Sequence, residues 1–372
     1  MSGCRVLNVL GPSAGGIRQH VAVLSAGLGK LGWGVTVLGP DGVMAGLRPD
    51  AEVIGAPVDS RPDRAARSVR AIRRAARDAS IIHAHGLTAA TAVRLARTGL
   101  PTVVTVHNLV LDEVHGPLAP LQRRVGGWAL KGAARVIVIS AEIDAEVAPW
   151  VPQDRRRAVA PASAEKHPER ERGATREALR VDPSTPLVAV VARLSPQKDL
   201  PTFLRAMVAV RHRVPAAQAV VVGDGDERHA LEGLRDRLGL AGAVRFVGAR
   251  ENPADEMAAA DVVALSSIWE GSPIAVVEAL RLGRPLVTTA VGTVPHDLTD
   301  GVHARVVPPR EPEALGAAIA DLLEHPDDAA AMGERGRGVA QASYDTGLLV
   351  GRVADVYEEL VPGPPERSAV SG

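Results

Sequence analysis

The sequence is poor in lysine, aromatic side chains and cysteine, and it carries no net charge. Its lysines are Lys30, Lys131, Lys166 and Lys198, so arginine supplies nearly all of the positive charge. With Ala, Gly, Pro and Val abundant, this bias reads as high-GC coding rather than as function. Aromatic residues make up 2% of the chain, so its cores must be built from Ala, Val and Leu. Cys4 is the sole cysteine, which excludes an intrachain disulfide and a cysteine-based zinc site and points to a reducing compartment. Lys and Arg total 43 against 43 Asp and Glu, a balance that excludes a general nucleic-acid binder. No run of about 18 uncharged apolar residues is present, so no membrane span is expected. No secretory leader is expected either, because only Val6–Leu10 separates Arg5 from Gly11 and Pro12. A cytoplasmic location is therefore expected.

What is present is enough apolar material for two sizeable cores: 372 residues, 46% of them hydrophobic. Short apolar runs alternate with helical periodicity. Val6–Leu10, Val35–Leu38, Ile81–His83, Val103–Val106 and Val136–Ile139 read as buried strands. Helices are expected over 17–31, 64–77, 88–97 and 121–130. Residues 161–185, rich in Pro, Glu, Arg and Ala, break the rhythm, which restarts with Leu187–Val191 and runs to a last helix near 346–360. The expected organisation is an N-terminal domain over 1–160, a linker and lead-in over 161–185 and a second domain over 186–345. A helix over 346–361 packs back on the first domain, and a tail covers 362–372. The class is α/β, with two doubly wound, Rossmann-like parallel sheets in series, whose ligands sit at the carboxyl ends of the strands.

Three stretches carry chemistry. Ser266 to Leu280 reads as strand end, loop and helix, with Glu270 in the loop and Glu278 inside the helix, eight positions apart. A carboxylate accepts two hydrogen bonds from a vicinal diol, and a helix start there suits phosphate; the plainer reading is a strand–loop–helix with two surface glutamates. Val190 to Asp199 places Arg193 and Lys198 on one loop after a strand, and two converging cations suit a departing diphosphate. Val220 to Gly225 ends a strand with Gly223 and Gly225, where the chain turns tightly or passes near a ligand. Asp224-Gly225-Asp226 has the Asp-x-Asp spacing of metal-dependent sites, but in a turn after a strand it reads as turn chemistry, and no metal is expected.

These motifs resemble the GT4 family of retaining GT-B glycosyltransferases, the group 1 glycosyltransferases. The resemblance rests on Glu270-Gly271-Ser272-Pro273 through Glu278 and on Arg193 with Lys198. It implies a GT-B fold, two Rossmann-like domains facing each other across a cleft, and transfer of a sugar from a nucleoside diphosphate donor, UDP favoured. Glu278 is implied to hold the ribose hydroxyls, Glu270 the donor sugar, and Arg193 and Lys198 the diphosphate. Backbone groups of Gly271, Ser272, Pro273 and Ile274 touch the sugar and diphosphate, Gly223 lines the donor, and Arg250 frames the base. In the N-terminal domain, Gly15 and Gly16 let the chain approach the donor and acceptor; His20, on the following helix, reads either as an acceptor-side residue or as a simple helix residue. No cofactor is implied beyond the donor substrate, and the acceptor is expected to be a lipid-linked or cell-envelope glycan. A nucleotide-sugar epimerase and a non-catalytic donor-binding protein remain the alternatives.

Four further features need an account. His107, ending a strand, could hydrogen-bond a sugar hydroxyl or relay a proton and is the expected active-site residue of the first domain. His83 and His85 alternate on one strand; with no third ligand evident they read as packing. Arg61, Arg64, Arg67, Arg70, Arg73, Arg74 and Arg77 form a stripe on one helix, which suits either solvent or an anionic membrane surface at the inner face of the membrane. Departures from the family pattern, Pro161-Ala162-Ser163 and the Thr293 and His296 positions, put acceptor choice and level of activity in question. The zero net charge is itself a cancellation. Residues 1–160 hold 20 Lys and Arg against 12 Asp and Glu, and residues 161–372 hold 23 against 31, so the halves carry +8 and −8.

Overall fold

Strands whose residues are apolar on both faces can be buried only between two helical layers, and both sheets of this protein are of that kind. A computed structural model describes residues 4–12, 16–41, 51–59, 62–107, 119–161, 163–270 and 274–364. The chain divides into two compact units, Met1–Ala164 with Asp345–Gly372, and Glu165–Tyr344.

In the first unit the order is β1 (Arg5–Leu10), α1 (Gly16–Lys30), β2 (Gly34–Gly39), β3 (Glu52–Gly55), α2 (Pro62–Ala75), β4 (Ile81–His85), α3 (Leu87–Ala96), β5 (Thr102–Val106), α4 (Ala119–Lys131), β6 (Arg135–Val138), α5 (Ala141–Val147) and β7 (Arg156–Ala158). The seven strands are parallel in the order β3-β2-β1-β4-β5-β6-β7. Strand order reverses between β1 and β4, which makes their carboxyl ends the switch point where doubly wound sheets bind ligands.

The second unit runs α6 (Arg172–Ala178), β8 (Leu187–Val191), α7 (Leu200–Arg213), β9 (Gln218–Val222), α8 (Arg228–Arg237), β10 (Val244–Gly248), α9 (Ala254–Ala259), β11 (Val262–Ala264), α10 (Ile274–Arg281), β12 (Leu286–Thr289), α11 (Val294–Asp297), β13 (Arg305–Val307), α12 (Pro312–Glu324) and α13 (Pro326–Ser343). Its six parallel strands are ordered β10-β9-β8-β11-β12-β13, so its switch point lies between β8 and β11. Among the described residues its main core cluster is largely aliphatic, with Phe203 fully buried and Phe246 partly buried against it.

The last helix, α14 (Thr346–Glu358), belongs to the first unit and packs on α1. Gly27 makes this approach possible: a Cβ there would meet the Val350 side chain at 2.7 Å. Tyr357 is buried edge-on to Trp33, and its hydroxyl lies 2.6 Å from His83 Nδ1. Beyond the helix, Arg135 and Arg157 each donate to Glu359 at 2.6 Å, which holds its carboxyl below the usual carboxylate range.

Three expectations need revision. The stretch 161–185 is chiefly lead-in rather than linker: the units divide between Ala164 and Glu165, and α6 packs on α9. Arg176 anchors it from full burial, donating to the carbonyls of Ala259, Asp182, Pro183 and Thr185 and to Asp261. The arginine stripe of α2 is partly engaged, because Arg64 faces Asp59 at 3.8 Å and Arg73 donates to the Ala96 carbonyl at 2.8 Å. Arg67, Arg70, Arg74 and Arg77 are exposed, whereas Arg61 lies outside the described residues. The strands β3, β7 and β13 and the short helix α5 were not foreseen. Among the described residues no helix is long and apolar enough to cross a membrane.

Candidate active site

The switch point of the second unit is built by two loops that leave adjacent strands. One follows β8 (192–199) and the other follows β11 (265–270). Side chains and backbone fasten them together: Ser266 Oγ donates to the Lys198 carbonyl at 2.8 Å, the Ile268 N–H to the Gln197 carbonyl at 3.0 Å, and Gln197 Nε2 to the Trp269 carbonyl at 2.9 Å. Thr289, at the end of β12, donates to the Ser267 carbonyl at 2.6 Å. This frame brings Lys198 and Glu270 into an ion pair, and Ser267 Oγ donates to the same Glu270 oxygen at 2.7 Å. Glu270 is buried, so the pair sits where solvent screens it weakly.

Glu278, on α10, is buried as well and faces Lys166 Nζ at 3.1 Å. That contact lacks hydrogen-bond geometry, and Glu278 Oε1 has no hydrogen-bond donor among the described residues. Arg193 is exposed and has no ion pair among the described residues. Ile274 opens α10, while Gly271, Ser272 and Pro273 lie outside the described residues. Gly223 has φ +145°, and a Cβ there would overlap the Ala192 carbonyl oxygen; at Gly225 it would overlap that of Leu194. The close approach that these glycines permit is therefore to the β8 loop. Arg250 pairs with the buried Glu256 at 3.1 Å. Asp224 accepts from the Gly225 N–H at 2.8 Å and from Arg228 at 3.3 Å, as a turn residue does. Thr293 is tied to the Tyr344 hydroxyl at 3.2 Å, and Tyr344 donates in turn to Asp297; His296 is exposed.

At the switch point of the first unit stand histidines. His83 is spent on structure, with Nε2 2.7 Å from Thr105 Oγ1 and Nδ1 on Tyr357; burial lowers its pKa to about 3. His85 Nε2 lies 3.0 Å from Asn8 Oδ1, and its Nδ1 lies 3.4 Å from His107 Nε2. His20 on α1 completes the group, its ring 5.3 Å from that of His107 and 5.7 Å from that of His85. His85 and His107 are held well below the usual imidazole range, first by burial and then by their histidine neighbours, so both rings are neutral. The expectation that no third histidine accompanies the strand pair therefore fails: His20 and His107 both reach His85. Gly16 begins α1, and Gly15 lies outside the described residues.

Two family models match, Glycosyl transferases group 1 over residues 171–339 and Glycosyl transferase 4-like domain over residues 15–163. The chain belongs to the group 1 glycosyl transferases. It is 32% identical over 258 residues to a D-inositol 3-phosphate glycosyltransferase of Segniliparus rotundus, an alignment covering 64% of this chain and 57% of that protein. It is 29% identical over 280 residues to a GDP-mannose-dependent alpha-(1-6)-phosphatidylinositol monomannoside mannosyltransferase of Mycolicibacterium smegmatis, covering 64% and 72%. Among solved structures, Anabaena HepE in complex with UDP-glucose superposes with a TM-score of 0.85 at 20% identity, covering 96% of this chain and 100% of that one. The fold is GT-B, with two parallel-sheet α/β domains of seven and six strands.

In this group 1 glycosyltransferase, sequence reasoning named Lys198, Glu270 and Glu278 but not the groups that set them. Lys166 was hidden in the Pro- and Glu-rich lead-in. Ser267 and Thr289 are small hydroxyls whose importance is visible only once β8, β11 and β12 lie side by side.

Proposed function

We propose that the protein moves a sugar from a nucleoside diphosphate sugar, with UDP favoured, to an acceptor hydroxyl, retaining the anomeric configuration. The observation that carries this reading is the pairing of Lys198 with Glu270 at the second unit's switch point, with the buried Glu278 on the helix that follows. There Glu278 accepts from the ribose diol, and Lys198 and Arg193 offset the charge that grows on the diphosphate as the glycosidic bond breaks. Two cations at that position do the work a metal does elsewhere, so the leaving diphosphate needs none. With no carboxylate marked out as a covalent nucleophile, displacement occurs on one face. The acceptor oxygen bonds to the anomeric carbon as the bond to the diphosphate oxygen breaks, and the acceptor proton passes to the departing phosphate. His107 and the glycines before α1 serve the acceptor side.

A panel of UDP- and GDP-sugars tests the reading through thermal stabilisation and donor hydrolysis. A UDP-sugar is expected to raise the melting temperature by mass action and to be turned over slowly to UDP and free sugar. Conversion of the donor alone to an epimer would replace transfer with epimerisation, and binding without turnover would make the protein a non-catalytic donor binder.

The acceptor we propose is anionic or lipid-linked. The two named relatives act on phosphorylated inositols by their names, and the exposed arginines of α2 would face an anionic surface. The protein is expected to float with phosphatidylglycerol vesicles at low salt and to be released at high salt, when the Debye length shrinks. Failure to float at low salt would remove the membrane from the proposal.

A further inference from the structure

We propose that the first unit holds a divalent transition metal, zinc by its chemistry, on His20, His85 and His107. One nitrogen from each of the three buried rings lies within 4.8 Å of the others. They come from three elements that meet at the switch point: His20 from α1, His85 from the end of β4, and His107 directly after β5.

The hydrogen-bond chemistry prepares His85 as a ligand. A carboxamide oxygen only accepts, so with Asn8 Oδ1 at 3.0 Å the proton of His85 sits on Nε2, and Nδ1 presents its lone pair. An acceptor behind the far nitrogen is the usual partner of a metal-bound histidine, because it fixes both tautomer and ring orientation. His83 is excluded as a ligand, because Tyr357 and Thr105 occupy its two nitrogens. The spacing agrees with this assignment. His85 Nδ1 and His107 Nε2 are 3.4 Å apart, longer than the 2.7–3.2 Å typical of an N–H···O hydrogen bond. A tetrahedral zinc with bonds of about 2.0–2.1 Å sets its ligand nitrogens about 3.3–3.4 Å apart. Binding on all three rings requires the His20 nitrogen to come within about 3.3–3.4 Å of the other two, closer than the 4.8 Å limit within which the three now lie. On binding, His107 carries its proton on Nδ1, which leaves Nε2 free for the metal. Three neutral imidazoles suit zinc and its neighbours copper and nickel better than magnesium or calcium. They leave a fourth position for water or an acceptor oxygen. This site is independent of the donor residues, which belong to the second unit.

The full chain, freed of metal with a chelator, is titrated with zinc against a chromophoric competitor and with cobalt(II) by visible spectroscopy. One zinc per chain is expected to bind, with a rise in melting temperature, and cobalt is expected to give the strong visible bands of a tetrahedral nitrogen site. Asn8→Ala is expected to weaken zinc binding by about 10–100-fold and His20→Gln by at least as much, whereas His212→Gln, on an exposed histidine, leaves it unchanged. Absence of stoichiometric binding to the wild-type chain overturns the proposal, as does binding that survives in Asn8→Ala and His20→Gln. Should circular dichroism show either variant to be misfolded, the wild-type cobalt spectrum decides, and absence of tetrahedral bands ends the proposal.

Discussion

Lys198→Ala is expected to lower donor turnover by about 10²–10³-fold, the usual cost of removing one positioned group that stabilises developing charge. The loss should fall on kcat and kcat/KM alike, because the charge that Lys198 meets is largest in the transition state. The loop itself should persist, since Ser266 and Gln197 fasten it through carbonyls and their own side chains rather than through the Lys198 ammonium. What the variant does leave behind is Glu270, buried with Ser267 as its remaining hydrogen-bond partner among the described residues, and a buried charge that loses its counter-ion is destabilising. The double variant Lys198→Ala/Glu270→Gln separates the two effects. It should recover the stability lost by the single variant without recovering turnover. A kcat within threefold of wild type in a folded Lys198→Ala protein would remove Lys198 from the chemistry.

The central strands were legible because burial on both faces leaves a mostly apolar run, unbroken in Val136–Ile139 and Leu187–Val191 and interrupted by Asn8 alone in Val6–Leu10. The strands that escaped notice are at sheet edges. β3, β7 and β13 each pair on one side only, and Glu52, Arg156, Arg157 and Arg305 interrupt any apolar signal. The helix α5 has seven residues, too few for periodicity to declare itself. The same logic separates the two sites. Lys198, Glu270 and Glu278 sit in contiguous strand–loop–helix stretches, so their spacing is visible in one dimension. The histidine group is assembled from positions 20, 85 and 107, with Asn8 behind it, and only the parallel pairing of β1, β4 and β5 brings them together. His83 and His85 were visible as an alternating pair, yet which of them faces the cluster depends on Tyr357, which arrives from the far end of the chain. Lys166 was obscured differently: its surroundings have the composition of a linker, and its partner Glu278 lies more than a hundred residues away.

Glu278→Ala is expected to weaken nucleotide binding by about 100-fold or more while affecting kcat at saturating donor much less. A carboxylate that holds both hydroxyls of a diol makes two charge-assisted hydrogen bonds. At about 1.5–3 kcal/mol each, even the lower figure for the pair corresponds to about two decades in affinity. Lys166→Ala is expected to cost about tenfold, because Lys166 touches the carboxylate rather than the ligand and its removal loosens Glu278 without deleting an acceptor. Calorimetry with UDP measures both. The ligand supplies the decisive control: 2′,3′-dideoxy-UDP lacks the two hydroxyls, so it should bind the wild-type protein about as weakly as UDP binds Glu278→Ala. In the variant, removing the hydroxyls should then cost little more, since neither partner of the interaction remains. Such a cycle reports the coupling between carboxylate and diol directly. If the hydroxyls cost as much in Glu278→Ala as in the wild type, Glu278 acts on the fold of α10 rather than on the ribose.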